Sequence, residues 1–582
     1  MNPLVNHQVW LPIFFLAIIQ TSNAAEVADH VFLNGKIVTV DKEETVATAM
    51  AVAAGKILYV GDVASARAYR GESTRVFDLG GKTVLPGLID SHTHPLSAAM
   101  IEFDHELPEM QSIADVLAHI RDRAEVLGEG KWIVIQQVFI TRLEEKRYPT
   151  RDELDSAAPN NPVVFRTGPD ASLNSQALTH FNIGIESKDP EGSKIERDSV
   201  GNPTGILRGW SRIVNIPDAA SSSPQQADRL ARLQTLFRDY NATGITGIID
   251  RNTSTEGMGL YHGLESSKEL NVRVAMSRAV GNKESAERIR EQIRAIGQEP
   301  AKATPTAMLR TVGIKMFLDG GMLTGSAYLL KPWGTSKVYG ISDPDYRGLR
   351  FIPNDKLEAA VDECAATGLQ FTAHSVGDGA VHALLDTYAR VAKQRPIKHT
   401  RPNITHCNFM SAEAIRLMAK LGVSADIQPA WLYLDTRTLA QHFGEDRLTF
   451  FQPLKDIFKE GVIAGGGSDH MQKIGSLRSI NPYHPFLGMW ITITRRARGY
   501  EGQLHPEQAL DRMQALRFYT INNAYLMFLE DQVGSIEVGK FADFIVLDRD
   551  YLTCPVDAIR RIQVNETWLA GRQVYARTAT DR

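Results

Sequence analysis

Thr83-Val-Leu-Pro-Gly-Leu-Ile-Asp90-Ser-His-Thr-His-Pro95 is the stretch on which the reading of this chain turns. The apolar run from Val84 to Ile89 predicts a single buried strand, with His92 and His94 near its C-terminal end. Residues two apart on a strand point to one face, so both imidazoles project side by side. Two neutral imidazoles a few ångström apart suit a divalent transition metal. A lone His-x-His arises by chance on surfaces, so its weight depends on ligands supplied elsewhere.

Seven further strand-like runs follow: Gly244–Ile249, Asn271–Ala275, Val312–Phe317, Leu369–Ala373, Asn403–Thr405, Val423–Ile427 and Val462–Ala464. Helical runs such as Lys356–Ala366, Ala380–Ala392 and Ala412–Leu421 fall between them. With the His-x-His strand the count is eight, which predicts an α/β fold built on a (β/α)8, TIM-like barrel. Residues 97–235 separate the first two strands, far more than a βα unit needs, and are expected to elaborate the barrel mouth. Pro, Asp and Ser clusters at Asp189–Glu191 and Ala219–Pro224 mark loops within that stretch.

Both chain ends have a different texture. Val31–Val40 and Ala49–Val60 each place a Gly-Lys turn between β-rich halves, and Gly534–Asp543, Phe544–Leu547 and Glu566–Tyr575 repeat the pattern. The expected organisation is a small β-sandwich assembled from residues 25–86 and 531–582, with the barrel in residues 87–530.

Several barrel strands end in a group able to bind metal: His92 and His94 on the first, His374 on the fifth, His406 on the sixth and Asp469 on the eighth, with Lys315 on the fourth. In a barrel these C-terminal ends converge on one mouth, where barrel enzymes place their chemistry. Each residue alone has a plainer explanation, such as a helix N-cap for Asp469. Together, in barrel order, they predict a metal site. Asp378 is expected to cap the helix after the fifth strand, with His382 as a packing residue on it, and Thr324-Gly-Ser-Ala327 to form a flexible loop lining the mouth.

The chain resembles the amidohydrolase superfamily, in the type 3 branch that contains N-substituted formamide deformylase. The resemblance covers nearly everything from residue 30 to 577, through Leu85–His94, Gly377-Asp378, Gly467-Ser-Asp469 and Gly534–Asp543. Milder matches are Asn174-Ser-Gln-Ala-Leu178 and Gly201–Leu207, and Asn174 and Ser326 are taken as candidate substrate-binding residues. The resemblance implies one or two divalent metal ions, zinc first among them. His92, His94 and Asp469 would hold one ion and His374 and His406 a second. Lys315 would bridge them if its amine takes up carbon dioxide to become a carbamate. It further implies hydrolysis of a non-peptide C–N bond, in an N-acyl, formamide or cyclic amide substrate, by metal-bound hydroxide. Asp469 would act as general base and then general acid. The alternatives are an esterase, lactonase or carbamate hydrolase on the same scaffold, or an exported binding protein without catalysis, which the presence of Asp469 disfavours.

Three positions depart from the family pattern: Gly168-Pro-Asp-Ala-Ser172 lacks an expected histidine, Leu207-Arg-Gly209 replaces Leu-x-Glu, and Gln136-Gln-Val-Phe139 replaces a Gly-rich segment. All lie in the inserted region and are expected to alter substrate recognition while leaving the chemistry in place.

Bulk properties agree with a globular enzyme. The 582 residues are 43% hydrophobic and 23% charged, and the net charge of −4 gives no reason to expect nucleic acid. The three cysteines are far apart and show no metal-finger spacing. Leu11–Ile19 followed by small residues reads as a signal peptide spanning 1–24, cleaved after Ala24, which predicts a periplasmic or secreted protein without stable membrane insertion. The expected partner is a small-molecule substrate, with a homodimer admitted.

Overall fold

The computed structural model describes residues 27–136, 138–216 and 224–578. The leader read at residues 1–24 lies outside them, as do Gln137 and most of the loop at Ala219–Pro224. Among the described residues no helix is long and apolar enough to cross a membrane.

Eight parallel strands form the centre: β1 (Leu88–Thr93), β2 (Ile245–Thr253), β3 (Arg273–Ala279), β4 (Leu309–Phe317), β5 (Gln370–Ser375), β6 (Asn403–His406), β7 (Ser424–Ile427) and β8 (Ala464–Gly466). Each pairs in parallel with its neighbour in chain order. At the C-terminal ends of β8 and β1, Asp469 N donates to His92 O at 2.8 Å and His94 N donates to His470 O at 2.8 Å, which closes the ring there. The fold is the expected (β/α)8 barrel, with helices such as Asn354–Thr367, Asp378–Ala392 and Ala412–Leu421 between strands.

The opening stretch differs from expectation. Val84 to Ile89 is not one strand, because the chain changes sheets at Gly87. Thr83–Pro86 pairs with Lys36–Val38 and with Phe544–Leu547, whereas Leu88–Thr93 joins the barrel. Pro86 brings no N–H to continue a ladder, and Gly87 N donates to Asp543 O at 2.9 Å while its Cα lies against the Thr246 side chain. Sheet and barrel are thus joined through a single residue.

Thr83–Pro86 is the middle of a six-stranded sheet that unites Lys36–Val38 and Val46–Ala47 with Phe544–Leu547, Val564–Leu569 and Arg572–Ala576. A four-stranded sheet of His30–Leu33, Ala49–Ala53, Lys56–Gly61 and Arg75–Asp78 packs on it. The aromatic core between them includes Phe544 and Trp568, stacked 5.5 Å apart at 11°, with the Phe32 ring edge-on to both. This is the β-sandwich built from both chain ends.

The inserted region has its own architecture: a helix at Ile113–Leu127 and a five-stranded sheet of Ile133–Ile135, Val163–Thr167, Asp170–Leu173, Lys194–Arg197 and Pro203–Arg208. Its side chains meet the segments that follow β4, β7 and β8, the second of them the helix Pro429–Phe443. Arg142 donates to Asp435 Oδ2 (2.9 Å) and Ile480 O (2.9 Å), and Arg208 to Thr324 O (2.7 Å). The insertion therefore roofs the mouth side of the barrel. The helix Gln226–Ala242, which begins inside the stretch read as insertion, packs on the barrel wall through Leu233, Leu236 and Phe237.

Candidate metal centre

His92 lies in β1, and His94 is the residue from which the helix Pro95–Met100 starts. Asp469 follows β8 in the left-handed region at φ 54°, a conformation costly for a residue with a Cβ. It is held there by Asp469 N donating to His92 O and by Asn481 Nδ2 donating to Asp469 O at 2.9 Å. His406, ending β6, is likewise at φ 83°. Strained backbone at two candidate ligands marks a place where geometry is set by something other than local preference.

Three donor atoms form a near-equilateral triangle. His92 Nε2 is 3.3 Å from His94 Nε2 and 3.4 Å from Asp469 Oδ1, and His94 Nε2 is 3.3 Å from Asp469 Oδ1. A tetrahedral ion with ligand bonds of about 2.0–2.1 Å separates its ligands by about 3.3–3.4 Å. The triangle therefore fits one face of such a site and leaves the fourth vertex open. Among the described residues these three are the group of His, Cys, Asp and Glu side chains close enough to share one ion.

His406 and His374 stand beside the triangle rather than in it. The His406 ring lies 5.0 Å from that of His92 and 4.4 Å from that of His374. His374 Nε2 faces Gly320 O at 3.3 Å. Lys315 is buried in β4. Burial, with the nearby Lys315 charge second, pushes His374 down to about 3. Burial, again with Lys315 second, takes His92 well below its ordinary value, and burial with the His374 charge does so for His406. These imidazoles are neutral, the form that binds metal. Burial lowers Lys315 to about 7 against the opposing pull of Asp426 and Asp469.

The mouth also holds residues that the strand-end pattern does not single out. Asp426 and Gln428, on and just after β7, and Arg251, in β2, are fully buried inside the barrel. His92 Nδ1 lies 3.1 Å from Asp426 Oδ1, His406 Nδ1 2.7 Å from Gln428 Oε1, and Arg251 Nε 3.1 Å from Asp426 Oδ2. The indole of Trp431 stacks on His406 at 4.7 Å and 18°. The signal in the sequence is Ser424-Ala-Asp-Ile-Gln428, two long polar residues on one face of a strand whose neighbours are apolar.

Other expectations change. Asn174 is buried and bonded within the insertion: its Oδ1 accepts from Val163 N (2.9 Å) and Ala177 N (3.0 Å), and its Nδ2 donates to Asn161 O (2.9 Å). It is the N-cap of a short helix and its bonding capacity is spent there. Ser326 is equally committed, donating to Asp170 Oδ2 at 2.8 Å, and Thr324 to Ala327 are buried and packed rather than a mobile mouth lining. Gly377, not Asp378, is the N-cap of Asp378–Ala392, and Asp378 Oδ1 instead accepts from Leu330 N at 2.8 Å. His382 is a packing residue, 2.9 Å from Ser411 Oγ. The departures at Asp170 and Arg208 are interior, with no exposed surface to offer a substrate.

The model of the amidohydrolase family matches residues 75–575. An N-substituted formamide deformylase of Arthrobacter pascens is 27% identical over 577 residues, covering 95% of this chain and 100% of that protein. The protein LONG AFTER FAR-RED 3 of Arabidopsis thaliana is 27% identical over 592 residues, covering 98% and 95%. Among solved structures, an uncharacterized metal-dependent hydrolase of Pyrococcus horikoshii OT3 shares the fold with a TM-score of 0.65 at 22% identity, covering 91% of this chain and 99% of that one. The chain belongs to the amidohydrolase family and is a hydrolase acting on carbon–nitrogen bonds other than peptide bonds.

Proposed function

We propose that the enzyme is a metal-dependent hydrolase of N-acyl or N-formyl amines, with one divalent ion, zinc in the first instance, held by His92, His94 and Asp469. The observation that carries this reading is the donor triangle, whose edges match a tetrahedral face. Such an ion lowers the pKa of water to near neutrality and polarises a carbonyl. Asp469 turns Oδ1 toward the two imidazoles, which leaves its second oxygen to accept a proton from water and return it to the leaving nitrogen. The buried, neutral imidazoles and the roof of the insertion keep bulk water away from these transfers. The formamide specificity of the Arthrobacter relative supports N-formyl amines as the first substrates to try.

The test is release of amine from a panel of N-formyl and N-acyl amines, before and after treatment with a chelator. Activity lost on chelation and restored by zinc supports the reading, and chelator-insensitive turnover overturns it. Asp469→Asn is expected to lower kcat about 10²–10⁴-fold, the usual contribution of a positioned proton carrier, with the fold retained. Turnover within a few-fold of the parent removes Asp469 from that role.

A second reading adds an ion at His374 and His406 with Lys315 as a carbamate between the two. It is favoured by the buried amine, drawn down to about 7 and near these imidazoles, since the neutral amine is the form that reacts with carbon dioxide. Elemental analysis separates the readings: two ions per chain support it, and one ion with unmodified Lys315 in the intact mass removes it.

A further inference from the structure

Strand β7 supplies no candidate metal ligand, yet its Asp426 and Gln428 touch two of the histidines. The bonding is directional. Asp426 Oδ2 is ion-paired with the Arg251 guanidinium, 3.1 Å from its Nε, and accepts from Thr405 Oγ1 (3.2 Å). Asp426 Oδ1 receives Gln428 Nε2 and faces His92 Nδ1 at 3.1 Å. A carboxylate beside a guanidinium only accepts, so the proton between Asp426 and His92 sits on His92 Nδ1. The Gln428 amide has its nitrogen turned to Asp426, both to Oδ1 and to the backbone oxygen at 3.2 Å. Its oxygen must then face His406 Nδ1, 2.7 Å away, and that nitrogen too carries the proton.

We infer that Asp426 and Gln428 form a relay that locks His92 and His406 in the same Nδ1–H tautomer, so that both keep a bare Nε2, that of His92 turned into the donor triangle, before any ion arrives. The inference rests on the metal site proposed above and adds two positioning residues and a coupling between the histidines of β1 and β6. Gln428 is the joint. Its amide cannot turn over without setting an N–H against the His406 N–H and an oxygen against the Asp426 carboxylate. The rings are held by their faces as well as their edges, since His406 is stacked between His92 (5.0 Å, 29°) and Trp431 (4.7 Å, 18°). A rival arrangement exists, because Gln428 Nε2 passes 3.5 Å from His92 Nδ1. If Gln428 donated there, the His92 proton would move to Nε2, facing the triangle and blocking an ion.

Outer partners of this kind are worth about 10–100-fold in metal affinity. Zinc affinity is measured by competition with a chromophoric chelator, on the full chain stripped of metal. Gln428→Leu keeps the bulk and removes all three hydrogen bonds, to His406 Nδ1, Asp426 Oδ1 and Asp426 O. It is expected to weaken zinc binding by about 10–100-fold while the midpoint of thermal unfolding of the metal-free protein moves by only a few degrees. Gln428→Asn, which retains an amide on a shorter stem, is expected to fall between the two. Affinity within about threefold of the parent for Gln428→Leu overturns the relay. If the variants do not fold, neutron diffraction from the metal-free parent decides directly. Deuterium on Nδ1 of both His92 and His406 supports the relay, and deuterium on Nε2 of either overturns it. Failure of the metal site itself looks different, since the parent would then bind no zinc in the same titration.

Discussion

At the scale of single residues, the arrangement around Asp426 has a cost as well as a use. Arg251 is fully buried, and its guanidinium reaches Asp426 Oδ2, Gln370 Oε1 (2.8 Å) and Ser91 O (3.0 Å). A buried ion pair contributes little net stability, but removing one partner leaves the other charge without compensation. Arg251→Met is therefore expected to cost about 3 kcal/mol, the low end of the range for broken buried pairs, because Asp426 keeps its hydrogen bonds from Thr405 and Gln428. Denaturant unfolding of the metal-free protein reads this number, and a loss below about 1 kcal/mol means that Asp426 is already neutral in the fold. The same scale explains which candidate site residues are legible in sequence. His92, His94, His374, His406 and Asp469 stand out because histidine and aspartate are uncommon directly after apolar β runs. Asn174 and Ser326 do not, because asparagine and serine at loop ends serve caps and turns as readily as substrates, and here they do so. Asp426 and Gln428 are hidden by a third effect, since their roles depend on contacts across the barrel that no local pattern records.

At the scale of elements, strand positions follow from apolar runs, but their limits follow from packing. The apolar run places β8 at Val462–Ala464, whereas the strand is Ala464–Gly466. The glycines belong to it because helices behind the strand come too close for side chains. A Cβ on Gly466 would lie 2.5 Å from the Phe518 ring, and Asn523 Nδ2 reaches between the strands to Gly466 O (2.8 Å) and Ile89 O (2.5 Å). Gly466→Ala is thus expected to destabilise by about 1–3 kcal/mol through overpacking, measured as a shift in the thermal midpoint. Phe518→Leu in the same chain should recover part of the loss, and an additive double variant would show that the ring is not what the methyl meets. The chain switch at Gly87 is a similar case. A continuous apolar run cannot reveal that its first half pairs with the chain's C-terminal strands and its second half with a barrel.

At the scale of the molecule, the insertion is fastened to the barrel by an internal charge cluster at the positions that depart from the family pattern. Arg208, without exposed surface, contacts Glu196 and Asp170 (3.6 Å) within the insertion, and Thr324 O (2.7 Å) and Tyr339 O in the segment after β4. Ser326 Oγ returns from that segment to Asp170 Oδ2, and Tyr148 OH to Thr324 O at 3.2 Å. One guanidinium thus ties the roof to the loop that emerges from the strand of Lys315. Arg208→Met keeps the volume but leaves the buried Asp170 without its cation and Glu196 with Lys194 alone (3.4 Å), a loss of about 3–5 kcal/mol if the unit opens as a whole. Because the contacts join the roof to a loop and not to the barrel strands, the loss is expected to fall on local opening. Limited proteolysis, with fragments mapped by mass spectrometry, should show cleavage appearing first within 97–235 and 318–349, while fragments spanning β5 to β8 persist. Cleavage that spreads at one rate through the barrel helices would instead mean that the cluster supports global folding, and the roof would no longer count as a separable unit over the candidate metal centre.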